Sequence, residues 1–166
     1  RSIAKKYSFD NKKKIILGVG SSGPTTKWGA KNYISLIKSI QKQKECFYFL
    51  LAGPDETNLI DSIINEIGLK NCKLLNQKKI KELIPYFVAS DIYVGNDSFG
   101  HHISTQLGKP SIVLLLDTPR AYSDYSVNHH QITPENVSIE DVSHNSVSDP
   151  DSIKVDTVIK KIFTFI

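Results

Sequence analysis

Short apolar runs alternate along the chain with longer segments in which apolar residues recur every three or four positions. The short runs are typical of buried strands, and the longer periodicity is typical of helices with one face against a core. The pattern predicts strands over Ile15–Val19, Phe47–Ala52, Lys73–Leu75, Ile92–Gly95 and Ser111–Leu116. It predicts helices over Lys31–Gln43, from Asp55 or Glu56 to a C-cap at Gly68, and over Lys79–Ala89, Phe99–Leu107 and Val155–Phe163.

Strands and helices that alternate in this way predict an α/β fold, a Rossmann-like parallel sheet with helices on both faces and right-handed crossovers. The 166 residues are enough for one domain of ordinary size. We expect a linker over 1–13, a core over 14–117, an irregular polar segment over 118–152 and a closing helix over 153–166.

Composition places the chain among globular proteins, with 40% hydrophobic and 23% charged residues. No apolar run reaches the ~20 residues of a membrane span, and no signal peptide is recognisable. Cys46 and Cys72 fall in predicted strands, so we expect buried free thiols in a reduced, cytoplasmic protein. The chain begins with Arg1 and contains no methionine, so we expect it to be a piece of a longer protein.

The formal net charge of +4 comes largely from lysine runs, which are usually solvated faces of a protein. A mildly basic surface would also favour approach to an anionic membrane or a phosphorylated substrate. Aromatic residues do not interleave with these lysines as they do in nucleic-acid-binding platforms. No nucleic-acid partner is therefore expected.

The segment Gly95–Val113 carries the most chemical information. It has the pattern of a strand end, a polar turn, a short helix closed by a glycine, and another buried strand. Unpaired N–H groups and the dipole at the start of that helix favour an anionic ligand. Ligands of open α/β sheets bind outside the carboxyl ends of the strands. Ser98 would then lie on the phosphate side, and Asp97 would accept hydrogen bonds from sugar hydroxyls or simply cap the helix.

Two histidines follow in the same short helix. His102 lies one helical turn beyond the polar turn and is placed to donate to phosphate or sugar. A zinc site at His101 and His102 is not expected, because no cysteine or acid is spaced with them as zinc ligands usually are.

The loop Gly18–Gly23 matches the G-x-G-x-x-G fingerprint of dinucleotide-binding proteins and follows a predicted strand. Its context does not fit a nicotinamide cofactor, because Pro24, Thr25 and Thr26 stand where a helix should already have begun. No acidic residue ends the second strand at the expected place. The loop is rich in N–H and hydroxyl donors that suit phosphate contact; the alternative is a solvent loop that merely needs glycine.

Two further sites of interest lie beside predicted helix starts. Lys27 either pairs with a phosphate as a point charge or is a solvated surface residue. Trp28 is expected to pack the start of the first long helix onto the sheet. After the second strand, Glu56 is the better candidate for accepting two hydrogen bonds from a ribose diol, and Asp55 is the expected N-cap of the next helix.

Taken in order, these loops resemble the C-terminal domain of the ADP-heptose:lipopolysaccharide heptosyltransferases, glycosyltransferase family 9, which has the GT-B fold. The resemblance extends over about 14–117. Four motifs carry it: the loop that ends at Lys27-Trp28, then Gly53–Glu56, then Gly95–Ser98, and finally His102 leading into Leu107–Pro110.

The resemblance implies an inverting glycosyltransferase that moves heptose from ADP-heptose to the lipopolysaccharide inner core. In that family the C-terminal domain holds the nucleotide sugar. The implied substrate-binding residues are Thr25, Thr26 and Lys27 by the diphosphate, Glu56 at the ribose, and Asp97, Ser98, Gly100 and His102 by the sugar and phosphates.

The resemblance also implies no metal and no cofactor, and it assigns acceptor binding and the catalytic base to an N-terminal domain absent from this sequence. We therefore expect no catalytic residue here, no sugar transfer by this chain alone, and a peripheral position at the inner membrane face. Two residues depart from the family pattern. Phe99 stands where a glycine usually follows the Asp-Ser pair, so that the glycine comes later as Gly100, and Thr26 stands where many members have a basic residue.

Two alternatives stay open at this point. One is another GT-B transferase, or half of a sugar-nucleotide epimerase, that uses a UDP- or GDP-sugar. The other is a non-catalytic nucleotide-binding or protein-interaction domain, which the shifted glycine at Phe99-Gly100 favours. Competition among ADP, UDP and GDP distinguishes the first alternative, and a lack of any effect of Asp97→Ala on ligand binding would indicate the second.

Overall fold

The computed structural model describes residues 3–7, 11–144 and 147–166. Within these ranges, six strands form one parallel sheet in the order β3-β2-β1-β4-β5-β6. None of the described helices is long and apolar enough to cross a lipid bilayer. The strands are β1 Lys13–Gly18, β2 Cys46–Leu51, β3 Cys72–Leu74, β4 Ile92–Asn96, β5 Ser111–Leu114 and β6 His129–Ile132. The helices are α1 Ile3–Lys6, α2 Ala30–Gln41, α3 Thr57–Ile67, α4 Ile80–Ala89, α5 Phe99–Gln106 and α6 Val155–Ile162, with 3-10 turns at Arg120–Ser123 and Pro150–Ser152.

Helices cover both faces of the sheet, as predicted. Ile15 and Leu17 of β1 point to the face covered by α2, α3 and α6, whereas Ile16 points to the face covered by α4. Because both faces are buried, the central strands appear in the sequence as continuous apolar runs instead of alternating ones. The predicted fold class, a Rossmann-like parallel sheet, is confirmed.

The chain changes direction across the sheet between β1 and β4. β2 and β3 extend the sheet on one side of β1, and β4, β5 and β6 extend it on the other. Open α/β sheets form a ligand crevice at such a point. Here Gly18 of β1 pairs with Gly95 of β4. A Cβ atom on Gly95 would lie 2.6 Å from the carbonyl oxygen of Gly18, so this approach of the two strands requires glycine.

Several predicted boundaries differ from the structure by one or two residues. The differences lie at element ends, where the apolar periodicity is weakest. They affect both ends of β1, β2 and α2, the start of α4 and the ends of β4, α5, β5 and α6. They also affect the position of β3, which is Cys72–Leu74 and not Lys73–Leu75.

The prediction that Asp55 is the N-cap of α3 is wrong. The helix begins at Thr57, so Glu56 occupies the N-cap position, and its side chain makes no capping hydrogen bond. The carboxylate of Glu56 instead accepts a hydrogen bond from the backbone N–H of Gly53 at 2.7 Å. The turn before α3 is therefore organised by a side chain that points into the neighbouring loop.

The segment 118–152 is less irregular than predicted, because it contains strand β6. This edge strand pairs in parallel with β5 and is half-buried except at Ile132. It therefore lacks the apolar run that reveals the other strands. The predicted linker over 1–13 also contains structure, since α1 packs against α4 and both Ile3 and Tyr7 contact the core beside it.

Cys46 and Cys72 are both free thiols, as expected. Cys46 is buried, but Cys72 is only half-buried because β3 is a short edge strand, so that part of the expectation is wrong. Burial raises the pKa of both thiols to about 11. Neither cysteine is therefore a reactive thiolate near neutral pH.

The side chain of Asn96, at the end of β4, is fully buried and anchors the loop after β1. Its amide nitrogen donates to the carbonyl oxygens of Val19 at 2.9 Å and Gly20 at 3.4 Å. Its Oδ1 accepts from the N–H of Trp28 at 3.0 Å and lies 3.1 Å from the hydroxyl of Tyr33. The Asn96 carboxamide thus uses both its N–H groups and its oxygen, and it joins the start and the end of the loop to β4.

Trp28 packs the start of α2 onto the sheet, as predicted. Its indole ring is fully buried and meets the ring of Tyr33 edge to face, with centroids 5.1 Å apart. The indole Nε1 donates to the carbonyl oxygen of Ile153 at 2.9 Å, which ties α2 to the segment that leads into α6.

Replacing Asn96 by Ala is expected to lower the free energy of unfolding by about 2–4 kcal/mol, because several buried backbone groups lose their partner together. Urea unfolding followed by circular dichroism measures the loss. Asn58→Ala, at an exposed position of α3, is the matched control and should change stability by less than about 0.5 kcal/mol. Equal effects of the two substitutions would contradict the anchoring role of Asn96.

Candidate functional site

Three loops meet at the carboxyl edge of the sheet: residues 19–29 after β1, 52–56 after β2 and 97–98 after β4. They border an open cavity of about 630 Å³, a size common among small-molecule sites. Lys27, Glu56 and the exposed Asp55 supply its charged groups, and Leu51, Pro54 and Phe99 supply apolar surface.

Glu56 is held at the edge of this cavity by three donors. Its Oε1 accepts from Lys27 Nζ at 2.6 Å and from the N–H of Ser21 at 3.1 Å, while its Oε2 accepts from the N–H of Gly53. Burial opposes ionisation of this carboxyl, but the three donors outweigh burial and lower the pKa of Glu56. Glu56 is therefore an oriented carboxylate that joins the loops after β1 and β2.

Gly20 is required by the position of this carboxylate. A Cβ atom at Gly20 would lie 1.9 Å from Glu56 Oε2 and 2.9 Å from the Cα of Ala52. The glycine pattern over Gly18–Gly23 thus reflects close packing of neighbouring groups. No helix follows it directly, since α2 begins only at Ala30, as the sequence context indicated.

Thr25 and Thr26 direct their hydroxyls to protein partners. Thr25 Oγ1 donates to Asp117 Oδ2 at 2.5 Å, which connects the loop after β1 to the segment that follows β5. Thr26 Oγ1 lies 2.5 Å from the hydroxyl of Ser21 and donates to the carbonyl oxygen of Gly23 at 3.1 Å. These hydrogen bonds close the polar loop on itself and hold it beside the cavity.

Asp97 does not cap α5, because the N-cap position belongs to Ser98. Asp97 Oδ1 lies 2.7 Å from His101 Nε2, and Oδ2 accepts a hydrogen bond from the hydroxyl of Thr118. Burial opposes ionisation of Asp97, but the hydrogen bonds from His101 and Thr118 outweigh burial and lower its pKa. Asp97 is therefore ionised near neutral pH and held at both oxygens.

Histidines and a tyrosine extend this network to β6 and to the segment before it. His101 is fully buried, and its Nδ1 lies 3.1 Å from His129 Nε2 on β6. The Nδ1 of His102 is hydrogen-bonded to the hydroxyl of Tyr125, and the rings of these two residues are stacked nearly parallel. Burial is the main cause that lowers the pKa of His102, and repulsion from His101 is the next. The same two causes, in the same order, lower the pKa of His129 to about 4. Both rings are therefore neutral near neutral pH.

Asp97, His101 and His102 form the group of potential metal ligands in the part of the chain that the structure describes, with one ligand atom from each within 4.8 Å of the others. The expectation that no acid accompanies the two histidines is wrong, because Asp97 lies one helical turn before His101. The 2.7 Å contact between Asp97 Oδ1 and His101 Nε2 is a hydrogen bond, so a metal ion would have to displace the proton between these two atoms.

Ser98 and Gly100 lie against the ring of Tyr93, which is fully buried. Ser98 Oγ is 3.2 Å from the Tyr93 hydroxyl. A Cβ atom on Gly100 would lie 2.5 Å from the Tyr93 ring, and one on Gly18 would lie 1.9 Å from its hydroxyl. Gly100 thus allows α5 to start directly against β4, a packing role that the sequence analysis did not foresee.

Sequence reasoning missed five residues of this site. Ser21 acts through its backbone N–H, which no residue type reveals. Thr118, Tyr125 and His129 fall in 118–152, where the periodicity gave no sign of β6. His101 had one available signal, its spacing of four residues from an acid at a helix start.

A sequence model of glycosyltransferase family 9 (heptosyltransferase) matches residues 1–148. The chain belongs to this family. Lipopolysaccharide heptosyltransferase 1 of Campylobacter coli is 28% identical to this family 9 chain over 143 residues, which cover 84% of the chain and 42% of that protein.

Solved structures share the fold of this family 9 chain. The ADP-heptose lipopolysaccharide heptosyltransferase II of E. coli superposes with a TM-score of 0.78 at 18% identity, over 98% of this chain and 49% of that one. The E. coli heptosyltransferase WaaC, solved with ADP, gives a TM-score of 0.72 at 14% identity, over 98% and 48% of the two chains. The family 9 chain thus spans about half the length of the relatives it matches.

Replacing Glu56 by Gln is expected to lower the unfolding free energy by about 1–3 kcal/mol near pH 7. The ion pair with Lys27 is lost, and the amide has only one acceptor oxygen for the backbone N–H groups of Ser21 and Gly53. The pKa of Glu56 is lowered from its ordinary 4.5 in the folded chain, so its stabilisation is present above that value. It disappears as the pH falls through the folded-state pKa. Urea unfolding at several pH values should show wild type and Glu56→Gln converging in acid.

The exposed Glu45 provides a control for this experiment. Its carboxylate lies 3.6 Å from Lys12 Nζ at the surface, so Glu45→Gln should change stability by less than about 1 kcal/mol. A difference between wild type and Glu56→Gln that stays constant from neutral to acid pH would contradict the role given to the ionised Glu56.

Proposed function

We propose that residues 1–166 form one nucleotide-sugar-binding domain, the donor half of an inverting glycosyltransferase that moves heptose from ADP-heptose to the lipopolysaccharide inner core. The observation that carries the proposal is the pair of oriented carboxylates at the carboxyl edge of the sheet, Glu56 after β2 and Asp97 after β4. Family 9 membership supports the reaction class. The ADP bound to E. coli WaaC and the name of the Campylobacter coli relative support the donor and the acceptor.

In this proposal Glu56 accepts hydrogen bonds from the ribose hydroxyls. Its three donors leave lone pairs available, since an ionised carboxylate has about four acceptor positions. Lys27 donates a hydrogen bond to the diphosphate and keeps its ion pair with Glu56, because an ammonium group has three N–H donors. The ion pair at 2.6 Å therefore links the ribose and diphosphate sites through one contact.

The other end of the donor lies at the start of α5 in this proposal. The first N–H groups of a helix have no intrahelical acceptor and suit a phosphate, which assigns Ser98 and Gly100 to the diphosphate. Asp97, ionised and repelled by phosphate, accepts from sugar hydroxyls. His102 keeps its Nδ1 on Tyr125 and offers Nε2 to the sugar or phosphate.

The polar loop after β1 covers the diphosphate from the side in this proposal. Thr25 and Thr26 bring their backbone close to Lys27 while their hydroxyls stay on Asp117 and Ser21. The threonines therefore shape the loop, and their contribution to the ligand comes from the backbone. No metal or cofactor is needed for these contacts.

Inversion requires a base that activates the acceptor hydroxyl on one face of the sugar, and stabilisation of the leaving diphosphate on the other. This chain supplies the second function, because preorganised N–H groups and an ammonium are aimed at the place where negative charge develops. The base and the acceptor site belong, in this proposal, to the N-terminal half that the relatives have in addition.

Calorimetric titration with ADP, UDP and GDP tests the donor. We expect selective binding of ADP at micromolar strength, and a weakening of about tenfold or more in Glu56→Ala, because a charge-assisted acceptor for the ribose is lost. Glu66→Ala is the matched control, since it also removes an ion pair, with Lys38 at 2.7 Å, but on the surface of α3.

Other outcomes of this titration favour the alternatives. Selective binding of UDP or GDP would indicate another GT-B transferase or an epimerase half. Binding of none of the three nucleotides by the protein in its natural length would indicate a domain that has lost this chemistry.

An exposed apolar stripe on α4 supports a further part of the proposal, contact with the inner face of an anionic membrane. Ile80, Ile84 and Val88 follow one another at helical spacing and are 61%, 36% and 46% exposed. Lys81 is exposed beside them, and Lys109 Nζ lies 3.4 Å from the carbonyl oxygen of Val88. Apolar side chains bordered by lysines are typical of surfaces that bind anionic lipid headgroups.

The double variant Ile84→Asp, Val88→Asp is expected to bind phosphatidylglycerol vesicles about tenfold more weakly in co-sedimentation, because it removes apolar contact and adds repulsion. Val127→Asp is the matched control, because Val127 is 92% exposed outside this stripe. Binding that is weak in all proteins, or equal in the double variant and the control, would contradict the membrane contact.

A further inference from the structure

His101 occupies a position that the proposed function does not explain. Its side chain is fully buried, so it does not reach a ligand in the cavity. It is nevertheless engaged at both ring nitrogens, with Nε2 at 2.7 Å from Asp97 Oδ1 and Nδ1 at 3.1 Å from His129 Nε2. A buried imidazole held at both nitrogens has one orientation and imposes it on the groups that it contacts.

The direction of the hydrogen bond to Asp97 follows from the ionised carboxylate. A carboxylate only accepts, so the Nε2 of His101 carries the proton and donates it. Thr118 donates to the other oxygen of Asp97 from the segment that follows β5. Donors from two different parts of the chain therefore fix a side chain that would otherwise rotate among its rotamers.

His129 supports His101 from the edge strand β6. Its ring packs at a right angle against Tyr125, with centroids 4.7 Å apart. The Nδ1 of His129 is buried and has no hydrogen-bond partner among the described residues. A buried nitrogen without a partner costs stability. The ring of His129 is nevertheless held with Nδ1 in this position, in which its Nε2 contacts His101. A continuous contact thus runs from Asp97 through His101 to β6.

We propose that His101 is a positioning residue for Asp97, supported by His129, and that it orients the carboxylate toward hydroxyls of the transferred sugar. This inference rests on the proposed function, in which Asp97 faces the sugar and Glu56 faces the nucleoside. It follows that His101 governs affinity for the sugar part of the donor and has little effect on affinity for the nucleotide alone.

The test compares ADP with ADP-heptose by calorimetry on the natural full-length protein. His101→Leu should weaken ADP-heptose binding about tenfold, the effect of losing one charge-assisted hydrogen bond, and leave ADP affinity within about twofold. His101→Gln, whose amide N–H replaces Nε2, should restore most of the affinity. His101→Asn replaces only Nδ1 and should not. His144→Leu, at an exposed histidine, is the matched control.

A double-mutant cycle shows whether His101 acts through Asp97. In an Asp97→Ala background, His101→Leu should cause no further loss of ADP-heptose affinity. Additive losses, equal weakening of ADP and ADP-heptose, or wild-type affinity in His101→Leu would each overturn the inference. Thermal unfolding identifies any variant that fails to fold, and His101→Gln against His101→Asn then remains the deciding comparison. A wild-type protein that binds neither ligand would overturn the proposed function and this inference with it.

Discussion

The close approach of β1 and β4, secured by the carboxamide of Asn96, is the constraint on which the rest of the site depends. Glycine on both strands removes the side chains that would separate them, and Asn96 then satisfies the backbone groups at both ends of the loop after β1. Lys27 is placed by the residue that follows it, since Trp28 is anchored to Asn96 and to the segment before α6. A loop that looks flexible in the sequence is thus fixed at its start, at its end and, through Thr25, near its middle.

The site is not a bare cationic cleft. Lys27, the cation among the described residues that line the cavity, is already neutralised by Glu56. Asp97 accepts hydrogen bonds from His101 and Thr118, and the histidines beyond them, His102 and His129, are neutral near neutral pH. In the proposed function, recognition of an anionic ligand depends on short-range hydrogen bonds at defined positions. Long-range attraction, which salt screens, contributes less.

Much of the fold could be read from the sequence because burial on both faces makes the central strands continuous apolar runs. Strand β6 could not, since an edge strand of His129–Ile132 needs only one well-buried residue. In the site, Glu56 and Asp97 were found from their residue types after strand ends, and Lys27 was found from its position before a helix start. Their pairing was not predictable, because it depends on how closely the loops approach, which Gly20 permits. The role of His101 depends on His129, 28 residues further along the chain, and no local pattern predicts that contact.

Tyr93 and the glycines that contact it share one packing arrangement, so that a change at one position alters the space available at the others. The hydroxyl and ring of Tyr93 occupy the space that side chains at Gly18 and Gly100 would fill, and they also border Gly95. A relative with a smaller residue in place of Tyr93 would lose the closest clash of a Cβ atom at Gly18 and at Gly100, although Leu51 Cδ2 would still lie 3.0 Å from a Cβ atom at Gly100. Gly95 would still face the backbone of β1. Substitutions at these positions should therefore appear together across the family and not singly. The shift of the glycine from directly after Ser98 to Gly100 is then accommodated as part of that shared packing.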